Sequence, residues 1–278
     1  MTVDSSPLAA LPFFLAAGDG ERFCLYHEPN PGVPPRGAVL YVHPFAEEMN
    51  KSRRMVALQA RAFTQSGFGV MQIDLYGCGD SSGDLRQASW DLWLADLARA
   101  RNWLEQRDHG PCYVWGLRLG ALLALDHARK SHPAGLILWQ PSLSGGAYLN
   151  QFARLQSAGR LFSDSPAVEQ DTEIAGYRIS PSLSTTIRQL DAASMPPRCP
   201  VQWLELNIQP RDAAGMYAEA AGATASLQPA SALLVERWRE EGATVHAQAV
   251  HGDPFWMSTE IGISRALLEA TSIPMEHQ

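Results

Sequence analysis

The segment Val114-Trp-Gly-Leu-Arg-Leu-Gly-Ala121 sets two glycines around Arg118, with an apolar strand-like run before it and an apolar helix-like run after it. A strand that turns sharply into a helix through G-x-(reactive residue)-x-G lifts the central side chain above a sheet. There a hydroxyl, thiol or carboxylate can attack a carbonyl. Gly116 and Gly120 are the residues such a turn needs, because neighbouring backbone comes too close for a Cβ. The frame is present and the nucleophile is absent, since a guanidinium stays protonated and cannot attack a carbonyl. A cation at a helix start also opposes the helix dipole, so it calls for a carboxylate or an anionic ligand beside it. Glu47, Glu48 and Asp212 are the candidate internal partners. A bound phosphate or carboxylate is the other solution, to which the helix start and the loop after strand 37–43 would add amide donors.

Three more segments carry groups that could join this chemistry. Strand 37–43 ends in His43-Pro-Phe-Ala, so His43 either meets a ligand or ties its loop to a neighbour. Phe45, Leu117 and Leu119 flank the same place and are candidate ligand-binding residues. Glu47 and Glu48 could serve as general acid or base in a closed pocket, or cap a helix that begins near Asn50. Strand 69–74 opens into Asp74-Leu-Tyr-Gly-Cys-Gly-Asp-Ser-Ser82, in which Ser81 and Ser82 read as turn hydrogen-bonders and Cys78 as a packed residue. The last strand leads into Val250-His-Gly-Asp-Pro-Phe-Trp256, where a catalytic base is expected. His251 is the candidate, but Pro254 holds the position such a histidine usually takes. An acid should follow strand 201–206, which makes Asp212 the candidate and Glu205, on the strand, its alternative.

The elements that must position these groups alternate along the chain. Continuous apolar runs at 37–43, 69–74, 112–115, 135–139, 201–206 and 244–250 read as buried strands. Helical spacing is expected over 51–66, from Ser89 to about 104, over 119–128, over 229–241 and over about 260–271. Such alternation predicts an α/β chain with a mostly parallel twisted sheet covered by helices on both faces. Residues 141–198 break the rhythm with Ser, Pro and Gly and short helical pieces near 148–162 and 181–191. They are too many for a loop, so a cap inserted after the sixth strand of a single domain, 1–278, is expected. The apolar stretch Leu8–Ala17 lacks a preceding Lys or Arg and is broken by Pro12. It reads as the first arm of a hairpin turning at Gly18-Asp-Gly20 rather than as a signal peptide.

The 278 residues are 46% hydrophobic and 18% charged with a net charge of −7. That balance excludes a disordered chain and provides no basic face for nucleic acid or anionic lipid. No apolar run has the length of a membrane span, so no integral membrane segment is expected. Four cysteines without a C-x-x-C pair argue against a disulfide scaffold or structural zinc and for a reducing, cytoplasmic location. There is no dinucleotide fingerprint, P-loop or metal-ligand cluster, so neither a cofactor nor a metal is expected.

Together the His43 loop, the Asp74–Ser82 loop, the Gly116–Gly120 frame and the His251 loop resemble the α/β-hydrolase superfamily over nearly the whole chain. The runs Leu40-Tyr-Val-His-Pro-Phe-Ala-Glu-Glu-Met-Asn-Lys-Ser-Arg-Arg-Met55, Gln72-Ile-Asp-Leu-Tyr-Gly-Cys-Gly-Asp-Ser-Ser-Gly83, Trp115-Gly-Leu-Arg118 and Pro254-Phe-Trp256 look like the exosortase A system-associated hydrolase 2 family. The resemblance implies the α/β-hydrolase fold and an ester-type hydrolase tied to exopolysaccharide export and PEP-CTERM protein sorting. An exosortase or exopolysaccharide-system protein is its implied partner. It also implies that Arg is usual at the elbow. The residues themselves leave three readings open. One is a hydrolase built on Arg118, Asp212, His251 and Glu47 or Glu48. The second is a catalytically inactive pseudo-hydrolase holding a small anionic or acylated ligand. The third is a protein that works through its cap surface.

Overall fold

The computed structural model describes residues 10–107, 110–160, 173–174, 176–208, 225–258 and 262–273. The apolar runs become strands: β1 (Leu11–Ala17), β2 (Gly20–His27), β3 (Gly37–Val42), β4 (Phe68–Ile73), β5 (Cys112–Leu117), β6 (Gly135–Trp139), two short strands β7 (Glu173–Ile174) and β8 (Tyr177–Arg178), then β9 (Val201–Asn207) and β10 (Val245–His251). Helices α1 (Glu47–Gln65), α2 (Trp90–Arg107), α3 (Leu119–Ser131), α4 (Gly145–Arg160), α5 (Pro181–Gln189), α6 (Pro229–Glu240) and α7 (Arg265–Ala270) lie between and after them.

The main sheet runs β1-β2-β4-β3-β5-β6-β9-β10. β1 and β2 form the expected hairpin and pair antiparallel, as β2 does with β4, while β4 through β10 are parallel. Every residue of β3, β5 and β6 is buried, as strands covered on both faces must be. One core cluster packs Met55, Val56 and Phe63 of α1 and Leu267 of α7 against one face. The other packs Trp93 and Leu97 of α2, Leu122 and Leu125 of α3, and Leu234 and Trp238 of α6 against the opposite face. This is the α/β-hydrolase fold.

Boundaries differ from the sequence reading where acids replace apolar residues. α1 begins at Glu47, four residues before the first expected one, because Ala46 turns the chain at φ 56° and two acids fill the first turn. Glu47 and Glu48 therefore start the helix without capping it, and Ala46 makes no side-chain cap. α7 begins at Arg265, later than the expected start near 260, because the Ser264 hydroxyl accepts the Leu267 amide and caps the helix there; residues 262–264 are not helical and 259–261 lie outside the described residues.

Between β6 and β9 the chain carries α4, the β7–β8 hairpin and α5. Ser180 fastens this insertion. Its hydroxyl caps α5 through Leu183 N at 3.0 Å and donates to Ala88 O, while its amide donates to Leu85 O at 3.0 Å. Arg22, fully buried in β2, pins the loop after β4 from the other side. Its Nε donates to Asp96 Oδ1 at 2.8 Å, its guanidinium lies 4.9 Å from the Tyr76 ring centroid, and Asp96 Oδ2 accepts the Tyr76 amide at 2.8 Å. Among the described residues no helix is long and apolar enough to cross a membrane.

Candidate functional site

β5 passes into α3 through Arg118, whose backbone sits at φ 57°, ψ −116°. A non-glycine residue there is strained by roughly 1–3 kcal/mol and persists only where its surroundings dictate it. They do. A Cβ on Gly120 would come within 2.3 Å of Val42 O and 2.5 Å of His43 O, and one on Gly116 within 2.6 Å of Ala121 Cα. The first turn of α3 is thus pressed against the end of β3, and the turn at 118 is the only path the chain can take. The Arg118 amide donates to Trp139 O at 3.1 Å, and its carbonyl accepts from the Ala121 and Ser142 amides.

The Arg118 side chain is held from four sides. Nε donates to Glu48 Oε1 at 3.3 Å and Nη2 to Gln151 Oε1 at 2.8 Å. The guanidinium carbon lies 5.3 Å from the Tyr148 ring centroid and 5.6 Å from that of Trp256. Cation–π contacts of this kind contribute about 1 kcal/mol each when partly desolvated. The Arg118 side chain is only 12% exposed and that of Glu48 5%. Among the described residues Nη1 makes no hydrogen bond.

Glu48 is the hub. Its second oxygen, Oε2, accepts the Tyr148 hydroxyl at 2.7 Å. Burial pushes its carboxyl pKa above the ordinary value, while the charge of Arg118 and the Tyr148 hydrogen bond pull it back. Burial and the neighbouring Glu48 charge push the Tyr148 phenol well above its ordinary value, so it stays a neutral donor; the Phe45 backbone amide lies close enough to draw it slightly down.

Of the other candidates, Glu47 is exposed and accepts the Tyr177 hydroxyl at 2.6 Å, a bond that pushes the phenol up to about 12. His43 is buried between two loops. Its Nε2 accepts the Leu75 amide at 3.3 Å, so its proton sits on Nδ1, which donates to Pro44 O at 2.7 Å. Burial holds its pKa below the ordinary value and keeps the ring neutral. Phe45, 2% exposed, packs on Phe152 at 6.1 Å and Trp93 at 6.5 Å between ring centroids. Leu117 and Leu119 are buried in opposite clusters of the core.

His251 ends β10 opposite Asn207. The loop that follows it delivers Trp256 to the Arg118 guanidinium, with Phe255 wedged 5.0 Å from Trp256 and 6.0 Å from Trp139. Asp212 lies outside the described residues. Glu205, fully buried, accepts the Trp203 indole N–H at 3.1 Å and the Gln228 amide at 2.8 Å, which ties β9 to the start of α6.

The loop after β4 behaves as its sequence suggests. Ser81 Oγ accepts the Phe23 amide and donates to Asp74 O, and Ser82 Oγ accepts the Glu21 amide at 3.0 Å. Cys78 is buried and its thiol pKa is pushed up by that burial.

Tyr148, Gln151 and Trp256 are therefore the site residues that sequence reasoning missed. Tyr148 and Gln151 stand three apart on α4, a spacing that puts them on one helix face, but nothing in residues 141–198 says what that face meets. Spaces adjoin the site among the described residues. A void of about 10 Å³, too small for a water, lies behind the elbow between His43, Trp93 and Leu119. A groove of about 550 Å³ runs beside it between Asn50, the Cys78–Arg86 loop and Arg178 of β8. No group of His, Cys, Asp and Glu among the described residues could hold a metal ion.

Solved structures share this architecture. Est1E from Butyrivibrio proteoclasticus superposes with a TM-score of 0.62 at 14% identity, covering 93% of this chain and 95% of its own. A highly thermostable carboxyl esterase from Bacillus coagulans, in complex with glycerol, gives 0.55 at 16% identity over 88% and 90%. Alpha/beta hydrolase domain-containing protein 10 from mouse gives 0.51 at 16% over 88% and 90%. At these identities the likeness speaks for the fold. No curated protein matches the chain. Residues 33–194, more than half of the chain and inclusive of the elbow, match the family model described as "Serine aminopeptidase, S33". By that match the chain belongs to the serine aminopeptidase family of α/β-hydrolases.

Proposed function

We propose that this chain is a family member that has given up acyl transfer at the elbow and uses the same place to bind the anionic group of a small ligand. The observation that carries the reading is the Arg118–Glu48 pair, seated in the strained elbow turn with Nη1 unbonded among the described residues. A planar fork suits a carboxylate or phosphate, which it can meet with two parallel hydrogen bonds. The resemblance of its motifs to exosortase-associated hydrolases supports, as the ligand in this reading, an intermediate of envelope polymer export or protein sorting.

A second reading keeps hydrolysis. Glu48 is buried and its pKa is raised, as a general base needs, so it could activate a water against an ester held by Arg118.

Two measurements separate these. Intact mass after exposure to a fluorophosphonate probe should show no adduct on the native protein. Calorimetric titration with acetate, butyrate and inorganic phosphate should show binding that Arg118→Met abolishes. At a hundredfold excess over Kd such binding adds about 2.7 kcal/mol of stability, which thermal unfolding also detects. A covalent adduct, or multiple turnover of an ester lost in Glu48→Gln, would overturn the binding reading in favour of catalysis.

A further inference from the structure

α4 presents Tyr148, Gln151 and Phe152 on one face, and each meets a different part of the elbow site. The Gln151 carbonyl oxygen sits on Arg118 Nη2 at 2.8 Å, the Tyr148 hydroxyl on Glu48 Oε2 at 2.7 Å, and the Phe152 ring on Phe45. The helix thus fills the space above the elbow with one acceptor oxygen for the cation, one hydroxyl for the carboxylate and one apolar group for the floor.

We infer that this face of α4 is an internal stand-in for the ligand, and that the ligand is a hydroxy-carboxylate. The inference rests on the anion-binding reading above. Its carboxylate takes the place of the Gln151 amide on Arg118 and reaches Nη1 as well. Its hydroxyl takes the place of the Tyr148 phenol on Glu48. Plain carboxylates satisfy only half of the site and leave Glu48 Oε2 without its donor, which costs as much as an unmet buried hydrogen bond. Plain alcohols meet Glu48 alone and leave Arg118 Nη2 without the acceptor that Gln151 supplied.

Binding requires α4 to withdraw this face, because Arg118 is only 12% exposed with the helix in place. The apparent affinity is then the intrinsic one reduced by the fraction of molecules in which the face has withdrawn. Weakening the internal contacts raises that fraction. Gln151 is half-buried and its change to Ala leaves the aromatic packing of α4 untouched, whereas Tyr148→Phe removes only the hydroxyl.

The test is calorimetric titration of the native protein, Gln151→Ala and Tyr148→Phe with butyrate, 3-hydroxybutyrate and glucuronate. Both hydroxylated probes should bind the native protein more tightly than butyrate does. Gln151→Ala should tighten all three by about tenfold, the equivalent of one hydrogen bond to a charged group. Tyr148→Phe should tighten the hydroxylated probes more than butyrate. Equal affinities for butyrate and 3-hydroxybutyrate, unchanged by either variant, would overturn this inference and leave the anion-binding reading standing. No binding of any probe to three folded proteins would overturn both.

Discussion

Glu48→Leu tests the pair on which the site is built. The change takes away the acceptor of two buried donors, Arg118 Nε at 3.3 Å and the Tyr148 hydroxyl at 2.7 Å. Removing one partner of a buried ion pair costs about 3–5 kcal/mol, because the remaining charge stays desolvated. Here Arg118 keeps Gln151 and two aromatic faces, so the cost should lie near the lower end, about 3 kcal/mol. For a chain of this size that is a fall in Tm of about 6–12 °C. Arg118→Met alone leaves a buried carboxylate whose pKa is already raised, which can take up a proton, so it should cost less. The double variant removes the unpaired charge but leaves the buried Tyr148 hydroxyl without its acceptor, so it should recover to within about 1–3 kcal/mol of the native protein, less than the sum of the two single losses. Urea unfolding of all four proteins, followed by far-ultraviolet circular dichroism, gives the coupling directly. Additive single effects, with a coupling near zero, would refute the claim that Glu48 and Arg118 form a desolvated pair.

The remaining predictions concern the frame around the site. Gly120→Ala would place a Cβ 2.3 Å from Val42 O, so neither backbone can stay where it is; the variant should lose more than about 3 kcal/mol in urea unfolding or fail to fold, and a native-like Tm would contradict the close approach. His127, on α3, is buried, its Nε2 has no hydrogen-bond partner among the described residues, and burial lowers its pKa from 6.5 to about 4. The unfolded chain therefore takes up this proton first. Stability should fall by about 3 kcal/mol as pH drops from 6.5 towards 4. His127→Leu should flatten this acid limb, and identical limbs for the two proteins would contradict the assignment.

How much of this was legible in the sequence depends on what each residue answers to. The strands were legible because their side chains face a core on both sides and so are apolar without interruption. The elbow frame was legible because Gly116 and Gly120 are required by backbone approach alone, and Ser81 and Ser82 because short hydroxyls in a glycine-rich turn bond the nearest amides. The occupants of the site were not. Tyr148 and Gln151 come from the insertion, where i, i+3 spacing reports a helix face and carries no information on its partner. Trp256 is visible in the Pro254-Phe-Trp256 run, but an indole beside a histidine-bearing loop carries no sign that it will meet a guanidinium from another element. Glu48 and Glu47 are neighbours in sequence and look interchangeable. Only the direction of α1 separates them, sending Glu48 to Arg118 and Glu47 to Tyr177 at the surface.

The preserved elbow does not by itself speak for catalysis. The positive φ at Arg118 follows from the two glycines, one pressed on α3 and the other on the carbonyls that end β3, and any side chain at 118 would inherit it. Strain of about 1–3 kcal/mol is thus imposed by the packing of helix on sheet and would remain whatever the chemistry. What varies freely is the group carried on the turn and the groups brought to meet it. In this chain the group is a cation, and a carboxylate from α1, an amide and a phenol from α4, and an indole from the loop after β10 all converge on it. Three elements far apart in sequence supply these four complementary partners for one guanidinium. A nucleophile lost without replacement would leave a cavity or a small inert residue at the turn; a cation so closely partnered is what the proposed binding of an anionic group draws on.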